Sequence, residues 1–195
     1  MSHKTKVIVD AAQCSRLLTT VPCMVVTTVD REGRVNAAAI GSYVVISPYV
    51  ACAIWPGHET YANIKATGEF VINVPGRDRL DSIMIVSRDY PDGVDEVLEA
   101  GLTEMPALKV RPPRIVEYKA HVECKYVGEH TVGSHNLVVG EMVAGSCDEG
   151  LFGPDGRFDV VKAGVVHICR YPEPVYIAAD RAGYVRGKAT MDMPG

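Results

Sequence analysis

The stretch Met24-Val25-Val26-Thr27-Thr28-Val29-Asp30-Arg31-Glu32-Gly33-Arg34-Val35-Asn36-Ala37-Ala38-Ala39-Ile40 decides the fold class. Its first six residues are rich in Val and Thr, whose branched Cβ atoms suit a pleated strand. Asp30-Arg31-Glu32-Gly33 then supplies turn chemistry, and Val35 to Ile40 returns, so the two runs predict a β-hairpin. Working outward, Tyr43 to Ile46, Val50 to Trp55 and Phe70 to Val74 read as further strands, each bounded by Pro or Gly. Between the last two, Thr60 is the expected N-cap of a short helix with Tyr61 to Ala66 as its body and Gly68 just past its end. Two more short helices are expected from Asp78 to Val86, on the spacing of Leu80, Ile83 and Met84, and from Val94 to Leu98 before Gly101. After Arg111-Pro112-Pro113 come strand patterns at Ile115 to Tyr126, Leu137 to Val143, Val160 to Cys169 with a break at Gly164, and Val175 to Ala178. Strands and long helices do not alternate, which disfavours a doubly wound parallel sheet and favours a mainly β, antiparallel barrel with a few short helices. No repeat or linker divides residues 1–195, which are read as a single domain with a polar, mobile tail after Gly187.

With 195 residues, 47% of them hydrophobic and 23% charged, the chain can bury a full core, which excludes disorder, collagen and coiled coil. Lys plus Arg number 20 against 24 Asp plus Glu, so there is no cationic excess to hold a phosphate backbone, and no nucleic-acid partner is expected. The cysteines Cys14, Cys23, Cys52, Cys124, Cys147 and Cys169 form no C-x-x-C pair and are read as reduced thiols in a cytoplasm. Met1 to Asp10 holds no apolar run of signal-peptide length, so export is not expected. Val35 to Gly57 carries no formal charge, yet Asn36, Gly41, Ser47-Pro48 and Pro56 break it into strand-length pieces rather than a membrane span.

Two local conflicts mark a candidate site. Ala, Asn and Gly are poor strand formers, yet Asn36-Ala37-Ala38-Ala39 and Gly41-Ser42 lie where strands are expected. Small side chains let a flat ring approach the backbone, whose N–H and C=O groups can bond its polar edge. Equally, the alanines can fill a tight interface between strands or subunits. The second feature is His58-Glu59-Thr60 at the start of the short helix, where free backbone N–H groups attract an anion. Thr60 Oγ1 and Asn63 could add donors there, or Thr60 could simply cap its helix. No G-x-G-x-x-G or Gly-Lys-Ser/Thr loop is present. No metal is expected: His121 and Cys124 fall on opposite faces of a strand, and His130 and His135 lack paired thiolates.

These residues resemble the flavin reductase-like, FMN-binding proteins that include the flavoredoxins. The resemblance is carried by Pro22 with Val25 to Asp30, Gly33 to Ala39, Ser47-Pro48, and Thr60-Tyr61-Ala62-Asn63-Ile64. It continues through Thr67 to Pro75, Gly101-Leu102-Thr103, Gly140-Glu141-Met142-Val143 and Pro174-Val175-Tyr176. It implies a split β-barrel of Greek-key type that forms a homodimer and holds FMN noncovalently. The ring would lie against Asn36, Ala37, Ala38 and Ser42, and the phosphate near Ile54, His58, Thr60 and Asn63. Gly133-Ser134-His135 matches a Gly-Asp-His of relatives that lies near the flavin and a nicotinamide donor, departing at Ser134. His135 is therefore the candidate catalytic residue, with a local loop role as the alternative. The activity implied is that of an oxidoreductase moving electrons from NAD(P)H or a redox protein through FMN to a small-molecule or protein acceptor. The alternative is a non-catalytic flavin-binding sensor or scaffold module on the same barrel.

Overall fold

The computed structural model describes residues 8–10, 18, 20–91, 93–169 and 175–178; the expectations placed on residues 1–7, on Cys14, on Pro174 and on the tail after Gly187 lie outside them. In chain order the elements are β1 (Thr20–Pro22), β2 (Met24–Val29), β3 (Val35–Ile40), β4 (Tyr43–Ile46), β5 (Tyr49–Ile54), α1 (Glu59–Thr67) and β6 (Glu69–Val74). A 3-10 turn at Arg77–Arg79 leads into α2 (Leu80–Val86), α3 (Glu96–Glu99), β7 (Glu104–Met105) and β8 (Arg114–Ile115). Then come β9 (Ala120–Val132), β10 (His135–Cys147), α4 (Val160–Ala163), β11 (Val166–Cys169) and β12 (Val175–Ala178). Seven antiparallel strands in the order β3-β2-β6-β9-β10-β5-β4 form one curled sheet, the half-barrel of a split-barrel fold. β1, β11 and β12 make a small second sheet, and β7 pairs with β8.

The lack of alternation in Met24–Val29 has a physical cause. β2 is covered on both faces: Val26 joins Ile40, Val50, Ile54, Phe70 and Val138 inside the curl. Val25 joins Ala37, Val86, Val97, Leu102, Ile115 and Tyr118 under the helices. Burial of each such side chain is worth about 1.5–3 kcal/mol, so neither face tolerates a polar residue without a partner. The β9–β10 ribbon bends where its register shifts between Val139 and Gly140 and between Met142 and Ala144. Gly140 makes room there, since a Cβ on it would collide with the buried ring of Phe70.

Three expectations need correction. Val160 to Ala163 is a helical turn rather than a strand, because the Asp159 carboxylate accepts from the Val161 and Lys162 amides and Gly164 ends the turn at φ 62°. The strand expected to run from Ile115 to Tyr126 is interrupted: Ile115 ends the short β8, and β9 begins at Ala120. The Ile115 amide is diverted to the side chain of Asn73, which also donates to Val25 O and Thr27 Oγ1. Third, the β9–β10 hairpin runs on through polar Glu129, His130 and Thr131, far past Tyr126, because its outer half pairs while remaining exposed. Among the described residues, no helix is long and apolar enough to cross a membrane.

A polar clamp holds the excursion between β6 and β9 on the barrel. Glu123, 1% exposed, accepts from the Leu108 and Lys109 amides at 2.7 and 2.6 Å. His121 Nε2 lies 2.8 Å from Ile115 O and must donate, so Nδ1 accepts from Ser146 Oγ at 3.1 Å. Burial keeps this ring neutral, holding its pKa below the ordinary 6.5. A depressed histidine pKa contributes stability that is present above the unfolded value and is lost as pH falls through it toward the folded value. The thermal midpoint is therefore expected to fall on acidification below about pH 6.5, and His121→Gln is expected to flatten that part of a scan of Tm against pH.

Candidate active site

The turn bond from Asp30 N to Arg34 O, 3.0 Å, sets the phase of the β2–β3 ladder. Asn36 and Ala38 consequently exchange their backbone bonds with Thr28 and Val26, while the amides of Ala37 and Ala39 point away from the sheet. β3 is an edge strand, so these outward groups need partners elsewhere. One is supplied by α3: Ala37 N donates to Glu96 Oε2 at 2.8 Å. The other carboxylate oxygen, Oε1, accepts from Asn36 Nδ2 at 3.0 Å. Asn36 Oδ1 in turn accepts from Thr60 Oγ1 at 2.9 Å and from Thr28 Oγ1 at 3.2 Å, and Asn63 Nδ2 donates to Thr28 Oγ1 at 3.2 Å. All five side chains are buried. Burial pushes the Glu96 carboxyl above the usual carboxylate range, against the opposing pull of the Ala37 amide.

Beside this network lies a cleft of about 540 Å³, inside the span of roughly 300–1,000 Å³ usual for small-molecule sites. The curl of the sheet brings β3 and β5 to the same mouth, although four strands separate them in the sheet order. Asn36, Ala37, Ala38, Ser42, Ile54, His58, Thr60 and His135 all border the cleft. Asn63 does not: it sits in the second turn of α1, behind Thr28, and borders an adjoining recess with Arg31 and Arg34. The expected helix start is also corrected. His58, not Thr60, is the N-cap, in extended conformation and with no side-chain cap; the Tyr61 amide already donates to His58 O at 3.0 Å, which leaves the Glu59 and Thr60 amides open. The Thr60 hydroxyl proton is committed to Asn36 and is not free to donate to an anion. Nor do the backbone groups of Asn36 and Ala38 face the cleft, since the ladder uses them; Ala39, whose amide the ladder leaves unused, borders it.

The far wall of the cleft was not legible in the sequence. Val86, Ser87, Arg88, Asp89, Tyr90 and Glu96 come from the α2–α3 segment, sixty residues downstream in Glu96's case by its contact with Asn36. The one local signal was Asp95, whose side chain caps α3 by accepting from Leu98 N at 3.0 Å, which places Glu96 in a first helical turn but does not say which way it faces. Trp55 closes one side, edge-on to the His58 ring at a centroid distance of 5.2 Å. His135 lies at the tip of the β9–β10 hairpin, exposed, with Nδ1 3.0 Å from Ser134 Oγ. The departure at Ser134 thus retains a hydrogen-bond partner for the imidazole but replaces a carboxylate with a neutral hydroxyl.

Residues 16–162 match the family model of the flavin reductase like domain. The chain belongs to the flavin reductase-like family. It is 32% identical over 150 residues to an uncharacterized protein of Methanothermobacter thermautotrophicus, covering 73% of this chain and 71% of that one. Among solved structures it is similar to the flavoredoxin of Desulfovibrio vulgaris (Miyazaki F), with a TM-score of 0.77 at 25% identity over 88% of this chain and 91% of the other. Nitrilotriacetate monooxygenase component B from Bacillus cereus shares the fold, with a TM-score of 0.81 at 20% identity over 91% and 97%. Membership makes a flavin the cofactor class against which the cleft is judged, and the residues fit one: a small-residue wall, an outward amide at Ala39 and an uncapped helix start.

Asn36 is the joint between this cleft and the core. Asn36→Ala removes the acceptor of two buried hydroxyls and half of the hydrogen bonding of a buried carboxylate. Leaving such groups unpaired costs about 1–3 kcal/mol each, so urea unfolding is expected to show a loss of about 2 kcal/mol or more.

Proposed function

We infer that this chain is an FMN-dependent oxidoreductase that takes electrons from NAD(P)H or from a redox protein. The observation that carries the reading is the two-ended cleft. One end is the wall of β3, where alanine side chains leave the backbone approachable; the other is the start of α1, where the Glu59 and Thr60 amides are open. A tricyclic ring with polar edge atoms suits the first, and a phosphate suits the second. Ala37, Ala38, Ala39 and Ser42 would border the ring, with the Ala39 amide available to its edge. Main-chain N–H groups at the start of α1, with His58 beside them, would receive the phosphate; the Thr60 hydroxyl and Asn63 support this end through their bonds to Asn36 and Thr28. A bound flavin would supply the electron chemistry, while the protein binds, orients and excludes water. His135 stands at the open side, where a donor would approach.

Pure protein reconstituted with FMN is expected to be yellow, and to bleach without oxygen on addition of NADH or NADPH if a nicotinamide is its donor. Bleaching only with a reduced redox protein would identify an electron carrier instead. Ala38→Leu, which adds bulk to the wall and removes no hydrogen-bonding group of the Asn36 network, is expected to weaken FMN binding at least about tenfold, or 1.4 kcal/mol, in a fluorescence titration. Failure of the wild-type chain to retain any flavin would refute the reading.

The edge of the sheet supports a homodimer. Val44, Val45 and Ile46 of β4, with Tyr49 opposite Ile46, are exposed on a strand that pairs on one side only. Such an apolar edge invites a second copy of the chain. Light scattering is expected to give twice the chain mass, and Val45→Asp to shift it to that of a monomer. Buried, undisulfided thiols at Cys52 and Cys124 support a reducing, cytoplasmic setting, the Cys52 pKa being pushed up to about 12 by burial.

A further inference from the structure

Glu96 is a charge at the cleft that the reading above does not use. It is 7% exposed, borders the cleft and accepts two hydrogen bonds, one at each oxygen, as a carboxylate does. Among the described residues no Lys or Arg lies within ion-pair distance of it. The other charged or titratable groups bordering the cleft are Glu59 of α1, Arg88, Asp89 and Tyr90 of the α2–α3 segment, His58 before α1 and His135 of β10. Glu59 adds a further negative field at Glu96. The carboxylate is thus satisfied in hydrogen bonds but not neutralised in charge. A fixed charge in a half-buried cleft acts on a ligand far more strongly than the same charge in water.

We propose that Glu96 sets the balance between oxidised and reduced ring in this cleft, its uncompensated negative charge holding the reduced form at a disadvantage and the reduction potential low. The inference rests on the flavin reading and concerns the same cleft. Two electrons and one proton turn the neutral oxidised isoalloxazine into a reduced monoanion, with dithionite as the reductant in the measurement below. Only the reduced form carries the added charge, so a nearby carboxylate discriminates between the two states instead of weakening both equally. The opposite arrangement, a cation or an unused donor at this place, would favour the anion. The position also fits a donor protein: a bound ring of low potential passes electrons onward to a wider set of acceptors.

The test compares wild type, Glu96→Gln and Glu99→Gln, the last removing the same formal charge from the exposed side of α3. FMN affinity is measured by fluorescence quenching, and the midpoint potential of bound FMN by spectroelectrochemistry with dithionite, beside free FMN in the same cell. In the wild type, reduced FMN is expected to bind at least tenfold more weakly than oxidised FMN. Glu96→Gln is expected to recover at least tenfold in the ratio of reduced to oxidised affinity, which for a two-electron couple is a rise of about 30 mV. Glu99→Gln is expected to leave the potential where it was. Equal wild-type affinity for the two redox states overturns the proposal without any variant. So does a Glu96→Gln protein that binds FMN at an unchanged potential, which would reduce Glu96 to a structural clamp. Absence of FMN binding in the wild type is a different result: it removes the flavin reading itself.

Discussion

An edge strand has half of its backbone groups facing away from the sheet, and β3 places that row of unused bonds beside the cleft. Buried amides cannot be left unpaired, so each must be met by water, by a ligand or by another part of the chain. At Ala37 the chain meets it with Glu96, at 2.8 Å. That one bond draws α3 against β3, and with it the α2–α3 segment that forms the far wall. Two residues along the strand, the Ala39 amide points the same way and borders the cleft. The site is therefore the part of an edge that the fold has not covered.

The same arrangement explains why the network at Asn36 is so fully used. One amide side chain spans three elements: its oxygen gathers hydroxyls from β2 and α1, and its nitrogen holds the carboxylate from α3. Its orientation is fixed by the carboxylate, since a flipped amide would place its oxygen against Glu96 Oε1, which can only accept. Rigid placement of cleft residues comes from such surroundings more than from the residues themselves. Thr60 and Asn63 belong to this supporting layer. The sequence motif around them is accurate about location, but the roles fall to the backbone at the start of α1, which no side-chain pattern displays.

What the sequence makes legible is whatever is local. Hairpin β2–β3, strands β4 to β6 and the Gly68 stop of α1 follow from branching, turn chemistry and a glycine at φ 74°, all within a few residues. The antiparallel barrel class follows from their succession. Cleft residues carried by those elements, such as Ala38, Ser42 and His58, were legible for the same reason. Glu96 and Arg88 were not: an acidic residue in a four-residue helix looks like solvated surface, and only the curl of the sheet and the packing of α3 on β3 turn it inward. Val160 to Ala163 failed for the converse reason, a strand-like composition overruled by the capping carboxylate of Asp159.

The alanine run left two readings open, a tight packing interface or a wall for a flat ligand, and the structure divides them between residues. The Ala37 methyl is 1% exposed and packs in one cluster with Val86 and Val97, so its smallness serves the close approach of α2 and α3. A larger side chain there would push α3 outward and separate Glu96 from the Ala37 amide. Ala38 is only partly buried and borders the cleft without joining that cluster, so its smallness leaves open space instead, whereas Ala39 borders the cleft but also packs against the cluster of Ala37. Two neighbouring alanine positions thus answer to different constraints, one steric and internal, the other set by what must enter. The internal one comes first in the hierarchy: unless Ala37 lets α3 close on β3, the cleft has no far wall and the outward amides of Ala37 and Ala39 face only solvent.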